Sequence, residues 1–396
     1  MSIFSKPKEK EELMLVFDIR SSMVGGALFW TQKSEIPKII FSVREPIIPE
    51  ENLDADKLLS LTIKTLEIVA DKIYMARLGA PSRIFCVLSS PWYVSQTRII
   101  SLKRNTPFVF NAKLADNLIQ KEIKFFEEEH LAKYGDSVRA IELKNIKTVL
   151  NGYETTQPLN KKIKELEMAI FISMSGEQVL KKIENTIGRH FHLNPIKFIS
   201  SLMTSFTITR DMYAEQDNFL LVDIGGEITD ISIIKKSIPR ESVSFPLGHN
   251  FLTREVAGRL GCGLSEANSF ISLLKDGHAE RSVVKKIKPI IDQLKTEWLI
   301  KFQESLANIS NNISIPATVY MTIDREMADF FTQIIKSEQF SQYSLTESKF
   351  EVIVLNTELL YGTAIFKENI IREPFLIIDS VYINRFLISP AKAEQI

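Results

Sequence analysis

The sequence predicts a mixed α/β protein of two lobes, with a small α+β domain inserted in the first. Three observations carry this reading. Strand-like apolar runs alternate with helix-period segments along most of the 396 residues, the pattern of a partly parallel sheet. A strand–Asp–turn–strand unit stands near the start, in LMLVFDIRSSMVGGALFW from Leu13 to Trp30, and again in LLVDIGGEITDISII from Leu220 to Ile234. Asp18 thus matches Asp223, and each half of the chain opens alike. Between them, residues 82–192 read as strand pair, helix, strand pair and helix.

Residues 13–50 read as strands of the first lobe. Asp54 then begins a helix in which Leu58, Leu59, Ile63, Leu66, Val69 and Ile73 recur at three- or four-residue spacing, and Gly79-Ala80-Pro81 ends it. Strands follow at 84–90, stopped by Pro91, and at 97–103. A helix after Asn111 repeats Leu114, Leu118 and Ile119 on one face. Strands resume at 140–150 and 168–175, separated by the turn-rich Asn151 to Lys162, the expected mobile loop, and a helix from Glu177 to about Phe191 closes the unit.

The second lobe opens near Phe219. It includes a helix with Leu252, Val256 and Leu260 four apart, and a long helical region from about Ala279 to Asn308 that Pro289 should kink. The strand ATVYMTI (317–323), a helix from Asp324, the strand EVIVL and a last strand FLIIDSVYI complete its sheet. The expected boundaries are a flexible tail at 1–12, a first lobe at 13–81 and an inserted interaction domain at 82–192. A second lobe at 193–385 completes the first at its start, and a tail follows at 386–396.

A composition 45% hydrophobic and 25% charged is that of an ordinary globular chain. Lys plus Arg and Asp plus Glu both number 49, so no overall field draws it to nucleic acid or to an anionic membrane. The only cysteines, Cys86 and Cys262, form neither a metal-ligand spacing nor a disulfide framework, which suits a reducing cytoplasm. No run of 18 apolar residues occurs and the start turns highly charged after Phe4, so neither a spanning helix nor a secretory signal is expected. Contact with a membrane is expected only through a partner.

The chemistry concentrates in the two hairpins. Gly225-Gly226 permits a tight turn and lets backbone N–H groups approach a phosphate closely. Asp223 and Asp230 stand at strand ends, where a carboxylate can hold magnesium through water. The plainer alternative is an ordinary hairpin with Asp in its turn. Two such hairpins facing each other imply a cleft between lobes.

These residues resemble the phosphate motifs of the actin, Hsp70 and sugar-kinase superfamily: Asp18 to Ser22 the first, and Asp223 to Asp230 the second. Within it the chain looks most like the bacterial FtsA and PilM branch. Phe245 to Gly277 is similar to that branch's Gly-containing turn and Glu-Ala helix, and Asn151 to Ser173 to the domain that FtsA inserts in its first lobe. The resemblance implies a two-lobe actin-like (ribonuclease H-like) fold. It also implies ATP with Mg2+ between the hairpins, held by Asp18, Arg20, Ser21, Ser22, Asp223, Gly225, Gly226, Glu227, Thr229 and Asp230, with Asp18 and Asp223 placing the metal through water.

Four departures weaken that implication. Arg20 stands where the first motif usually has glycine, and Glu227 where the second has its third. Asp324-Arg325 replaces the Gly-Gly turn of the adenosine motif, and Ser269, Phe270 and Ile271 occupy the stretch where a lysine commonly borders adenine in FtsA relatives. A side chain at 324 stands where ribose and the α-phosphate would pass. Nucleotide is therefore expected to be held weakly or not at all, with little or no turnover and no catalytic residue.

The resemblance implies an FtsA-like scaffold of bacterial cell division, whose partner is a tubulin-like protein, with self-association open to it. The alternative is a PilM-like component of type IV pilus assembly, cytoplasmic at the inner face of the membrane, that captures a membrane-anchored assembly partner. A superfamily kinase or ATPase is the rival of another class, but no motif for its base or substrate pocket is present.

Overall fold

The computed structural model describes residues 11–32, 36–134, 137–192, 195–310, 314–337 and 349–388. Ile3, Phe4 and the rest of the expected tail before Glu11, as well as 389–396 of the C-terminal tail, lie outside these residues. Two sheets with the same internal plan carry the lobes. In the first, β1 (Leu13–Ile19), β2 (Met23–Trp30) and β3 (Lys38–Pro46) form an antiparallel meander. β4 (Arg83–Leu88) lies parallel to β1, and β9 (Lys197–Ser200) parallel to β4. In the second, β10 (Phe219–Ile224), β11 (Thr229–Lys235) and β12 (Ile238–Phe245) repeat the meander. β13 (Thr318–Ile323) and β14 (Glu351–Val354) repeat the parallel pair.

The register makes the repeat explicit. Asp18 sits opposite Gly25 on β2 and Val87 on β4, while Asp223 sits opposite Asp230 on β11 and Thr322 on β13. Both aspartates end the central strand of their sheet. β1 is buried at every position and β10 nearly so, as continuous apolar strands covered on both faces should be. One cover of the first sheet is α1 (Ala55–Met75), capped by Asp54 Oδ1, which accepts from the Lys57 N–H at 2.8 Å. Leu66, Val69 and Ile73 of α1 share a core with Leu15, Phe17 and Leu28.

The chain between β4 and β9 forms a separate four-stranded sheet in the order β5 (Val94–Phe110), β8 (Lys161–Gly176), β6 (Val138–Leu150), β7 (Tyr153–Glu154). Helix α2 (Ala112–Tyr134) closes its core around Phe110, Phe126, Met168 and Ile170. α3 (Glu177–Gly188) then packs on α1, and β9 leads into the largely buried α4 (Ser201–Met212). Among the described residues no helix is long and apolar enough to cross a membrane.

The second lobe is covered by α5 (Asn250–Leu260), α6 (Leu264–Lys275), α7 (Arg281–Ser310) and α8 (Ala328–Ser337). Pro289, expected to kink the long helix, lies inside α7 without ending it.

Two expectations fail at the C-terminus. FLIIDSVYI is not a strand: Pro374–Tyr382 form α9, capped by Glu373, whose Oε2 accepts from the Leu376 N–H at 3.1 Å. A short run buried all round has no period to separate strand from helix. The helix signal was Pro374 in the first turn behind a side chain able to cap. Nor does this stretch complete the second lobe. β15 (Ile365–Phe366) pairs with β3, and α9 packs on β1, β2 and α4, so the chain returns to the first sheet. A π-helical turn over Ile383–Ile388 comes next, and the tail expected from Phe386 begins inside it.

Candidate functional site

The two Asp hairpins meet tip to tip. Ser21 and Ser22 form the first tip, buried to 1% and 7% exposure, and Gly225 and Gly226 form the second. Neither glycine has a positive φ, so close approach explains them better than turn handedness. A Cβ on Gly225 would meet Ser21 Oγ at 2.9 Å, and one on Gly226 would meet Ser22 Cβ at 2.9 Å and Asn250 Nδ2 at 2.8 Å. Ser21 Oγ also accepts from the Glu227 N–H at 3.2 Å. Space that glycine leaves for an incoming phosphate is here filled by the opposite hairpin.

The start of α5 is likewise engaged within the protein. The N–H groups of Gly248, His249 and Asn250 donate to the carbonyls of Glu227, Gly225 and Gly226 at 3.0, 2.9 and 2.9 Å. Gly248 is required there, since its Cβ would stand 2.4 Å from the Gly225 carbonyl oxygen. The Glu227 side chain is held by α5. Its carboxylate accepts from Asn250 Nδ2 at 2.9 Å and from both terminal nitrogens of Arg254.

Arg20 spans the lobes. Its Nε donates to Asp18 Oδ2 at 3.1 Å, and its Nη1 to Asp223 Oδ1 at 2.9 Å and Oδ2 at 3.3 Å. The guanidinium carbon lies 3.5 Å from the centroid of the Phe375 ring, a cation–π contact from the first turn of α9. Thr322 Oγ1 completes the shell of Asp223 at 2.7 Å. Burial works against the Arg20 charge, but attraction from Asp223 and Asp18 outweighs it and raises its pKa. Asp18, 2% exposed, is pushed up by burial despite Arg20, and Asp223 adds to the push.

A second cluster lies beside the first, around the position that replaces the adenosine glycines. Asp324 Oδ2 accepts from Ser22 Oγ at 3.0 Å and meets His249 Nε2 at 2.8 Å, and Oδ1 pairs with Arg44. Burial would raise this carboxyl, but the His249 contact, Arg44 and Arg20 bring it down to about 2. Arg44 reaches Glu373 Oε1 at 3.1 Å as well. Burial dominates at Glu373 and pushes it up to about 7.

Of the remaining expected residues, Asp230 lies across the hairpin from Asp223, accepts from Ser244 Oγ, and is pushed up to about 6 by burial and by Asp223. Both aspartates line a cavity of about 580 Å³ between the β12 edge, β5 and the start of α4. Thr229 is not at the site, since its Oγ1 donates to the Leu247 carbonyl at 2.7 Å inside the second lobe's core. Arg44, His249, Arg254, Glu373 and Phe375 were missed. No local pattern marks them; their partners stand far along the chain, and only the capping signal at Glu373 was readable.

A magnesium nucleotide does not fit these residues. A guanidinium bridges the two carboxylates that would place the metal, the hairpin tips touch, the loop at α5 is satisfied from within, and the Asp324 carboxylate stands in the nucleoside's expected path. Among the described residues no group of three or more His, Cys, Asp or Glu is arranged to hold a metal ion.

No family model matches the sequence, and no curated protein matches it. Solved structures do. A chain of a PilM–PilN type IV pilus biogenesis complex aligns over 94% of this chain and 98% of its own, with a TM-score of 0.61 at 13% identity. This chain has a two-lobe actin-like fold. Further matches are the ethanolamine utilization protein EutJ from Carboxydothermus hydrogenoformans, at 12% identity over 97% and 92% with a TM-score of 0.42, and a Bacteroides thetaiotaomicron protein of unknown function with an actin-like ATPase fold, at 6% over 89% and 93% with a TM-score of 0.39. In the actin-like fold of this chain, the two Asp hairpins occupy equivalent places in the two lobes.

Proposed function

We propose that this protein is a PilM-like adaptor, which holds a membrane-anchored partner of a type IV pilus-like assembly and does not turn over nucleotide. The observation that carries the adaptor reading is the direct contact of the hairpin tips, with Arg20 between their aspartates. Hairpin tips in contact, with a guanidinium between their aspartates, suit a scaffold better than a kinase or ATPase. Likeness over nearly the whole chain to a chain of the PilM–PilN complex supports the pilus role over the division role. By this reading the protein is cytoplasmic and meets the membrane only through its partner.

The domain at 82–192 supplies the partner surface. Of 16 exposed large hydrophobic residues among those described, 7 lie in this domain. Leu143 and Leu159, exposed to 38% and 47%, border a groove of about 530 Å³ with Phe110, Pro158 and Ile170. Calorimetry of the full chain against the cytoplasmic segment of a single-span membrane protein encoded beside it is expected to give a dissociation constant of about 10 µM or tighter. Leu143→Asp with Leu159→Asp should weaken it at least tenfold. Binding to a tubulin-like division protein, with none to the membrane-protein segment, would return the division role.

A further inference from the structure

We propose that Arg20 is a built-in cation that locks the two lobes together in the seat between Asp18 and Asp223 where an actin-like cleft would otherwise take a divalent ion. The two carboxylates come from equivalent strand ends of the two sheets, so any cation shared by them joins the lobes. Arg20 supplies that charge from the first hairpin, and its three short contacts use one oxygen of Asp18 and both of Asp223. The other oxygen, Asp18 Oδ1, is buried without a partner. The pair therefore has more acceptor capacity than the guanidinium uses, as expected of a seat able to hold a small hard ion in oxygen ligands. Phe375 covers the guanidinium from one side, and Arg20 itself is 3% exposed. The cation is thus held inside the protein and does not exchange with solvent. Closure then needs neither metal nor nucleotide, and the lock stands whatever the partner is.

Removing the arginine should hand the seat back to a metal. Thermal melts of Arg20→Ala with 0 and 10 mM MgCl2 are expected to differ by about 3 °C or more, because an ion bound only by the folded state stabilises it. Wild type and Arg20→Lys, which keep a fixed positive charge, should move by less than about 1 °C. A well-folded Arg20→Ala indifferent to Mg2+, or a wild type that responds as strongly, overturns the proposal. Should Arg20→Ala not fold, hydrogen exchange on wild type decides it. Amides of 18–23 and 223–228 should exchange at the same rate with and without 5 mM MgATP, and slowing there by tenfold or more would mean that the seat is open to nucleotide.

Discussion

The two hairpins share a plan and differ in the residues next to Asp-Ile. The first carries Arg20 and two serines that project from the turn; the second carries two glycines that leave a hollow, and ties its acid, Glu227, to Arg254 of α5. One is a knob with its own charge and the other a socket. From this difference, a duplicated element that grips one ligand from two sides can become an interface between its own halves by substitutions in one turn and at one facing position, Asp324.

The sharpest way to break this complementarity is to remove the knob's charge. Arg20→Ala leaves Asp18 buried without its ion-pair partner, and urea unfolding should register a loss of about 3–5 kcal/mol. The matching change on the socket side, Arg254→Ala, removes a partly exposed partner of Glu227 and should cost about 1 kcal/mol. Equal losses would mean that the two hairpins contribute alike.

Packing at the socket comes second. Gly248→Ala drives a Cβ against the Gly225 carbonyl at 2.4 Å, where only backbone can yield, and should cost about 3 kcal/mol. On the knob's side, Gly25→Ala meets the Leu376 side chain at 3.3 Å and should cost about 1 kcal/mol or less.

A titration separates the two clusters by pH. Glu373 is pushed from 4.5 up to about 7 by burial, so the folded state keeps a proton that the unfolded chain has released. The stability this carries is complete below pH 4.5 and is lost as the pH rises through about 7, on the order of 3 kcal/mol before neighbouring groups adjust. Glu373→Gln should flatten this part of the melting-temperature profile between about pH 4.5 and 7. An unchanged profile would place the titration elsewhere.

The duplicated sheets and the pairing of Asp18 with Asp223 are legible in the sequence, because strand–Asp–turn–strand is a local pattern with a physical meaning. Arg20, Glu227 and Asp324 stand out there as misfits. What they do instead is not legible. An arginine at position 20 suits gripping a phosphate as well as blocking one, and its actual partners include a carboxylate 203 residues away. Arg44 meets Asp324 and Glu373 at separations of 280 and 329 residues, distances over which no period or spacing carries information. α9 reads as a strand for the opposite reason: its neighbours are plain, but a helix buried on every side erases the amphipathic signal.

The return of β15 and α9 to the first sheet sets an order on synthesis. The second lobe's sheet is complete once β14 has left the ribosome at Val354, while the face of β1 and β2 that packs against Leu376, Ile377 and Val381 stays bare until α9 has been made. The lobe begun first is finished last. A chain that stops between these points has one finished lobe beside a half-covered apolar sheet, and it lacks Phe375 over Arg20. Quality control would meet such a chain as a client at its N-terminal half, even though the missing residues are at the other end.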